Sequence, residues 1–149
     1  MNFKLWFENS FDHDFIYNGS HFKTGKPVAF EYLKNTQKSP FLGSTFQQDI
    51  EPHGNYIIKK ETDKVEKPWT SGTINFQNPL VIPFNSSHEG GYDESSWKAE
   101  LSRRFDGKTG RELSKAIKKA GYDGIVTFRI DADGNPINTS EIVDLRNFK

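Results

Sequence analysis

Several short stretches of this 149-residue chain carry residue types that could do chemistry. Gly107-Lys108-Thr109 looks like the end of a phosphate-binding loop, where backbone N–H groups and a lysine cradle phosphates. That motif needs a glycine five residues before Gly107, and Ser102 stands there. A loop ahead of a capped helix is the better reading. Asp131, Asp133 and Asn135 open like a calcium loop, but Pro136 replaces the glycine of its sharp turn and Ile142 its bidentate glutamate. This stretch reads as a hairpin turn. His88-Glu89 starts like a zinc-protease helix, yet two glycines follow and no second histidine arrives four residues on. The four histidines show no ligand spacing, and neither a Gly-x-Ser-x-Gly nor a dinucleotide glycine signature occurs. Read locally, the polar and aromatic residues near strand ends point to no chemistry of their own: Asn18, Gly19 and Ser20, then Gln48, Asp49, Glu51 and Tyr56, and finally Glu141. Each has a structural alternative. Glu141 can be a polar residue entering an edge strand, Tyr56 a strand aromatic, Asn18-Gly19 a hairpin turn, and Gln48 to Glu51 a loop cap.

The elements that must position these residues are mostly short strands. Phe3 to Glu8 holds an apolar cluster with strand character, and Phe15-Ile16-Tyr17 runs into the Asn18-Gly19 turn. The polar stretch Asn35 to Ser39 ends at Pro40, where the chain must extend or turn. Gly54-Asn55 leads into the strand Tyr56-Ile57-Ile58, followed by a charged, exposed connection from Lys59 to Lys67. Thr73 to Phe84 alternates and then becomes continuously apolar, a strand broken at Asn78-Pro79. Ser86 to Ser95 is a Ser- and Gly-rich loop.

Helical pattern concentrates later. A short helix is expected over Trp97 to Phe105, and a clearer one over Gly110 to Ala120. For the second, Thr109 is the N-cap, Glu112 completes a capping box and Gly121 is the C′ residue. Leu113, Ala116, Ile117 and Ala120 fall on one face. Tyr122 to Phe128 returns as a strand, Asp131 to Pro136 turns, and Ser140 to Leu145 is the last strand. The mixture predicts an α+β fold in a single domain spanning 1–149.

Three separated segments, in order, resemble the ADP-ribosyltransferase superfamily. Phe15 to Ser20 is similar to the first NAD-contacting strand of that superfamily. Phe41 to Tyr56 is similar to its glycine-rich approach to a nicotinamide-stacking tyrosine, and Ser140 to Leu145 to its last strand, which opens with the catalytic glutamate. Asn78 to Ile82 and Ala120 to Val126 resemble the connecting strand and the helix-to-strand passage of the compact phage and mobile-element branch. That branch, sometimes called ART-PolyVal, includes phage inhibitors of CRISPR systems. The resemblance covers about residues 15–148, and its weight lies in order and spacing rather than in any single motif.

The resemblance implies two packed, small, mostly antiparallel sheets around an NAD cleft with flanking helices. It also implies Glu141 as the catalytic carboxylate, with Tyr56 stacking on nicotinamide and Asn18, Gly19 and Ser20 holding the adenosine side. NAD is then the co-substrate, with no metal, and the acceptor is a host protein or nucleic-acid complex. Two positions depart from the pattern. Asn18 stands where many members place histidine, which favours a rival: a non-catalytic inhibitor with a degenerate site. Thr139 stands where arginine-directed members carry Gln or Glu, which points away from guanidinium modification.

The implied chemistry suits the residue types. Breaking the nicotinamide bond leaves positive charge on the ribose, and a carboxylate bound to the 2′-OH gains strength as that charge grows. At about 4 Å and an effective dielectric of roughly 20 the attraction is about 4 kcal/mol. Stacking on Tyr56 adds about 0.5–1.5 kcal/mol.

Composition bounds the rest. Twenty Lys plus Arg balance twenty Asp plus Glu, so the chain lacks both the positive field of a non-specific nucleic-acid binder and the negative charge of a DNA mimic. Lys115, Lys118 and Lys119 make a local patch that reads as a solvated helix face. With no cysteine, disulfides and thiolate metal sites are excluded. Thirteen phenylalanines supply a core that the aliphatic residues alone would leave thin. The first residues form neither a signal peptide nor a membrane span, and the protein is read as acting in the cytoplasm of a bacterial host without membrane contact.

Overall fold

The computed structural model describes residues 14–36, 48–85 and 97–146. The strand expected over 3–8, the loop expected over 86–95 and most of the glycine-rich approach at 41–47 lie outside the described residues.

Strands β1 (Asp14–Tyr17) and β2 (Ser20–Lys23) form an antiparallel hairpin. Asn18 and Gly19 both take positive φ, 46° and 79°, the twist that a two-residue loop between right-twisted strands requires. Six further strands make one sheet: β3 (Val28–Asn35), β4 (Asn55–Lys59), β5 (Trp69–Phe76), β6 (Pro79–Asn85), β7 (Gly124–Ile130) and β8 (Pro136–Asp144), in the order β5-β3-β4-β8-β7-β6. All neighbours are antiparallel except β6 and β7. Parallel neighbours need a long crossover. Here that crossover carries both helices, α1 (Trp97–Arg104) and α2 (Gly110–Lys119). The α+β expectation therefore stands. The two sheets are unequal, one of two strands and one of six.

The large sheet separates two apolar clusters. On one face Leu80, Ile82, Ile125, Val143 and Leu145 pack against Trp97, Leu101, Leu113 and Ile117 of the helices. On the other, Val81, Val126, Ile142, Ile57 and Phe76 pack against Phe15 and Phe22 of the hairpin. The assignment alternates residue by residue along β6, β7 and β8, the period of two that a strand imposes. Strands β6 and β7 are covered on both faces, which explains why Leu80 to Phe84 reads as a continuous apolar run. Phe128 sits at the centre of the hairpin side, with ring centroids 4.9 Å from Phe15 and 5.1 Å from Phe22.

The break at Asn78-Pro79 and the passage at Gly121 to Gly124 hold each other. Asp123 accepts from the backbone N–H of Gln77 (2.7 Å) and Asn78 (3.0 Å), and the Asn78 amide donates to the Gly121 carbonyl (2.7 Å). These two motif-like stretches thus have a structural reason for their residue types: they join the parallel pair. Gly124 cannot carry a Cβ there because the Phe76 ring occupies its place.

Three local expectations need correction. Thr109 is the N-cap of α2, but its side chain makes no cap hydrogen bond, so the capping box does not form. The buried face of α2 runs through Leu113, Ser114 and Ile117, and Ala120 is exposed. Ser114 is buried because its hydroxyl donates to the His53 carbonyl, tying the helix to the segment before β4. Strand β8 begins at Pro136, four residues earlier than the Ser140 start expected, because pairing with β7 resumes directly after the Asp131 turn. In that turn the Asp131 carboxylate accepts from the Asp133 and Asn135 N–H groups, both at 2.9 Å.

Candidate functional site

Glu141 lies on β8 at an irregularity in the sheet. Val126 pairs with Ile142 while Phe128 pairs with Thr139, so β8 holds one more residue than β7 between them. Such a bulge re-aims side chains and is common beside functional sites. The Thr127 hydroxyl, itself buried, donates to the Glu141 carbonyl (2.7 Å) and satisfies a group that the interrupted ladder would leave open. The Glu141 carboxylate points to the helix side, 3.4 Å from the Lys98 ammonium of α1.

Lys98 is the second component. Its side chain is 0% exposed and its ammonium also donates to Glu51 at 2.7 Å, whose side chain is likewise 0% exposed. Glu141 is 21% exposed, so a buried Lys–Glu pair lies behind a carboxylate that solvent reaches. Among these three groups two formal negative charges meet one positive. A buried ion of this kind is tolerated only with close partners.

Tyr56 is the third component. It packs against the helix-side core, and its hydroxyl donates to the Pro52 carbonyl (2.7 Å), closing the turn that leads into β4. Burial, and after it the nearby Glu51 and Glu141 carboxylates, push the phenol well above its ordinary range, so it stays a neutral donor. The Glu51–Gly54 segment is pinned elsewhere too. Gly110 N–H donates to the Glu51 carbonyl (3.1 Å), and Gly54 lies so close to β8 that a Cβ would collide with Val143.

Glu141 and Tyr56, two of the residues named by the sequence, therefore share one face and one electrostatic environment. Asn18, Gly19 and Ser20 do not join them. Their hairpin packs on the opposite face of the sheet, and the Asn18 amide donates to Glu61 (2.5 Å) just beyond β4. Gly19 is exposed with open space around it. Glu51 is present at the site, but full burial keeps it from any substrate, and it acts on Lys98 instead. Gln48 and Asp49 lie in the turn that immediately precedes Glu51.

Lys98 escapes sequence reasoning because lysine in a helix ordinarily faces water. A signal exists all the same. Trp97, Leu101 and Phe105 set the buried face, and Lys98 stands three residues before Leu101 and four before Ser102, inside that face.

One other motif resolves as structure. The Gly107-Lys108-Thr109 loop joins the two helices and is fastened by the Ser102 hydroxyl donating to the Lys108 carbonyl (2.7 Å). Among the described residues no group of three or more His, Asp or Glu is placed to hold a metal ion, and no helix is long and apolar enough to cross a membrane. Comparison of the chain with protein-family models, with curated proteins and with solved structures found no match.

Proposed function

We propose that the chain is an ADP-ribosyltransferase that moves ADP-ribose from NAD to a macromolecule of a bacterial host, with Glu141 as the reactive carboxylate. The observation that carries this reading is the convergence of Glu141 and Tyr56 on one face, with Glu141 partly exposed and held from behind by Lys98. In the proposed reaction the Glu141 carboxylate accepts a hydrogen bond from the ribose 2′-OH. The C1′–N bond breaks and nicotinamide leaves with the electron pair. An acceptor heteroatom then bonds to C1′ and gives its proton to solvent. A fixed carboxylate beneath a developing cation is the kind of preorganised electrostatic stabilisation that dominates many enzymes' rate gain. Tyr56 supplies an aromatic wall for nicotinamide, its hydroxyl already engaged by Pro52. With water as acceptor, the same site would release free ADP-ribose.

One observation favours the rival, an inhibitor that occludes a partner without chemistry: the Asn18–Ser20 hairpin, assigned by resemblance to the adenosine end, packs on the far face of the sheet. Incubation with adenosine-labelled NAD and bacterial lysate separates these readings. The transferase labels a macromolecule, the hydrolase yields labelled free ADP-ribose, and the occluding protein leaves the NAD intact, which would end the enzymatic proposal.

A further inference from the structure

The Lys98–Glu51 pair is costly to bury, and its position relative to Glu141 gives it a use beyond packing. Both side chains are 0% exposed, and the partners come from segments 47 residues apart. Replacing a buried ion pair with apolar residues of similar size is often neutral or stabilising. Stability alone therefore gives little reason for a lysine between Glu51 and Glu141, where leucine or methionine would fill the helix face of Trp97 and Leu101 equally well. What an apolar residue cannot do is hold a carboxylate. Lys98 touches Glu51 at 2.7 Å and Glu141 at 3.4 Å, so the fully buried Glu51 fixes the ammonium and the ammonium reaches the one member of the trio that solvent touches.

We infer that Lys98 is a positioning residue for Glu141, anchored for that purpose by Glu51; as a statement about catalysis this rests on the reading of Glu141 as the reactive carboxylate. The ammonium limits the Glu141 side chain to a single rotamer at the partly exposed edge of the trio. Lys98 itself never meets the substrate.

The test uses the double variant E51M/K98M, because Lys98→Met alone takes the ammonium away from a buried carboxylate and threatens the fold. Two readouts are taken, the χ1 averaging of Glu141 by side-chain NMR and the steady-state kinetics of nicotinamide release. The double variant is expected to fold with a thermal midpoint at or above that of the parent chain. Glu141 is expected to pass from one rotamer in the parent to averaged rotamers in the variant. With the side chain loose, kcat falls on the order of 10²-fold, the typical consequence of misplacing a reacting group, while KM for NAD stays within about twofold because remote binding contacts are untouched. Glu141 keeping one rotamer without Lys98 would overturn the inference, as would failure of the double variant to fold, which would make the pair structural. If the parent releases no nicotinamide, the transferase reading fails, and the rotamer comparison still decides what Lys98 does.

Discussion

At the scale of single residues, the site is a graded burial of charge: Glu51 and Lys98 inside, Glu141 at the surface, Tyr56 beside them. Tyr56 joins the two halves of this arrangement, since its ring lines the helix-side core and its hydroxyl locks the turn at Pro52. Tyr56→Phe removes one donor and leaves the buried Pro52 carbonyl without it, at a cost of about 1–3 kcal/mol in urea unfolding. The same variant carries a pH signature. Because burial raises the folded-state pKa of Tyr56 above its unfolded value near 10, the folded state keeps a proton that the unfolded chain releases. That contribution is fully present below pH 10 and is lost as pH rises through the folded value. Wild-type stability should thus decline more steeply above pH 10 than that of the Phe variant, and parallel curves would remove Tyr56 from the buried charge network.

Among the elements, β4 and β8 do most to build the site, and they depend on a close approach. Gly54 lets the chain entering β4 pass against β8, where a Cβ would overlap Val143 and stand 2.9 Å from the Asp144 carbonyl oxygen. Gly54→Ala should cost about 1–3 kcal/mol, the usual penalty of overpacking, read by denaturant titration. An unchanged midpoint would mean that the approach is looser than described. Much of this layer was legible in the sequence. The Asn18-Gly19 turn, the break at Asn78-Pro79, the helix over Gly110 to Lys119 and the turn at Asp131 each announce themselves through residues acting on their own neighbours. The bulge at Ser140–Glu141 was not legible, because nothing in Thr139-Ser140-Glu141 marks it; it exists only in pairing with β7. The Lys98–Glu51 contact was hidden for the same reason, and Thr109 looks like a capping residue while its hydroxyl makes no cap bond.

For the whole molecule, the six-stranded sheet acts as a partition. Helices, Glu141, Tyr56 and the buried ion pair lie on one side, and the β1–β2 hairpin with its phenylalanine cluster lies on the other. Linear order in the sequence says nothing about which side of a sheet a segment takes, and this is why Asn18 could be grouped with Glu141 by motif order. The partition has a measurable consequence: Asn18→Ala should leave KM for NAD within about twofold of the parent, since no binding contact on the Glu141 face is lost. A rise of tenfold or more would return the hairpin to the dinucleotide site.

The proposed chemistry turns on Glu141. The deciding measurement is nicotinamide release from NAD by the parent chain and by Glu141→Gln, at matched fold integrity by circular dichroism. Loss of an ionised group aimed at a developing cation predicts a fall on the order of 10²–10³ in rate for the variant. Equal rates in the two proteins would contradict the assignment of the reactive carboxylate, and the same absence of release from both would contradict the transferase itself.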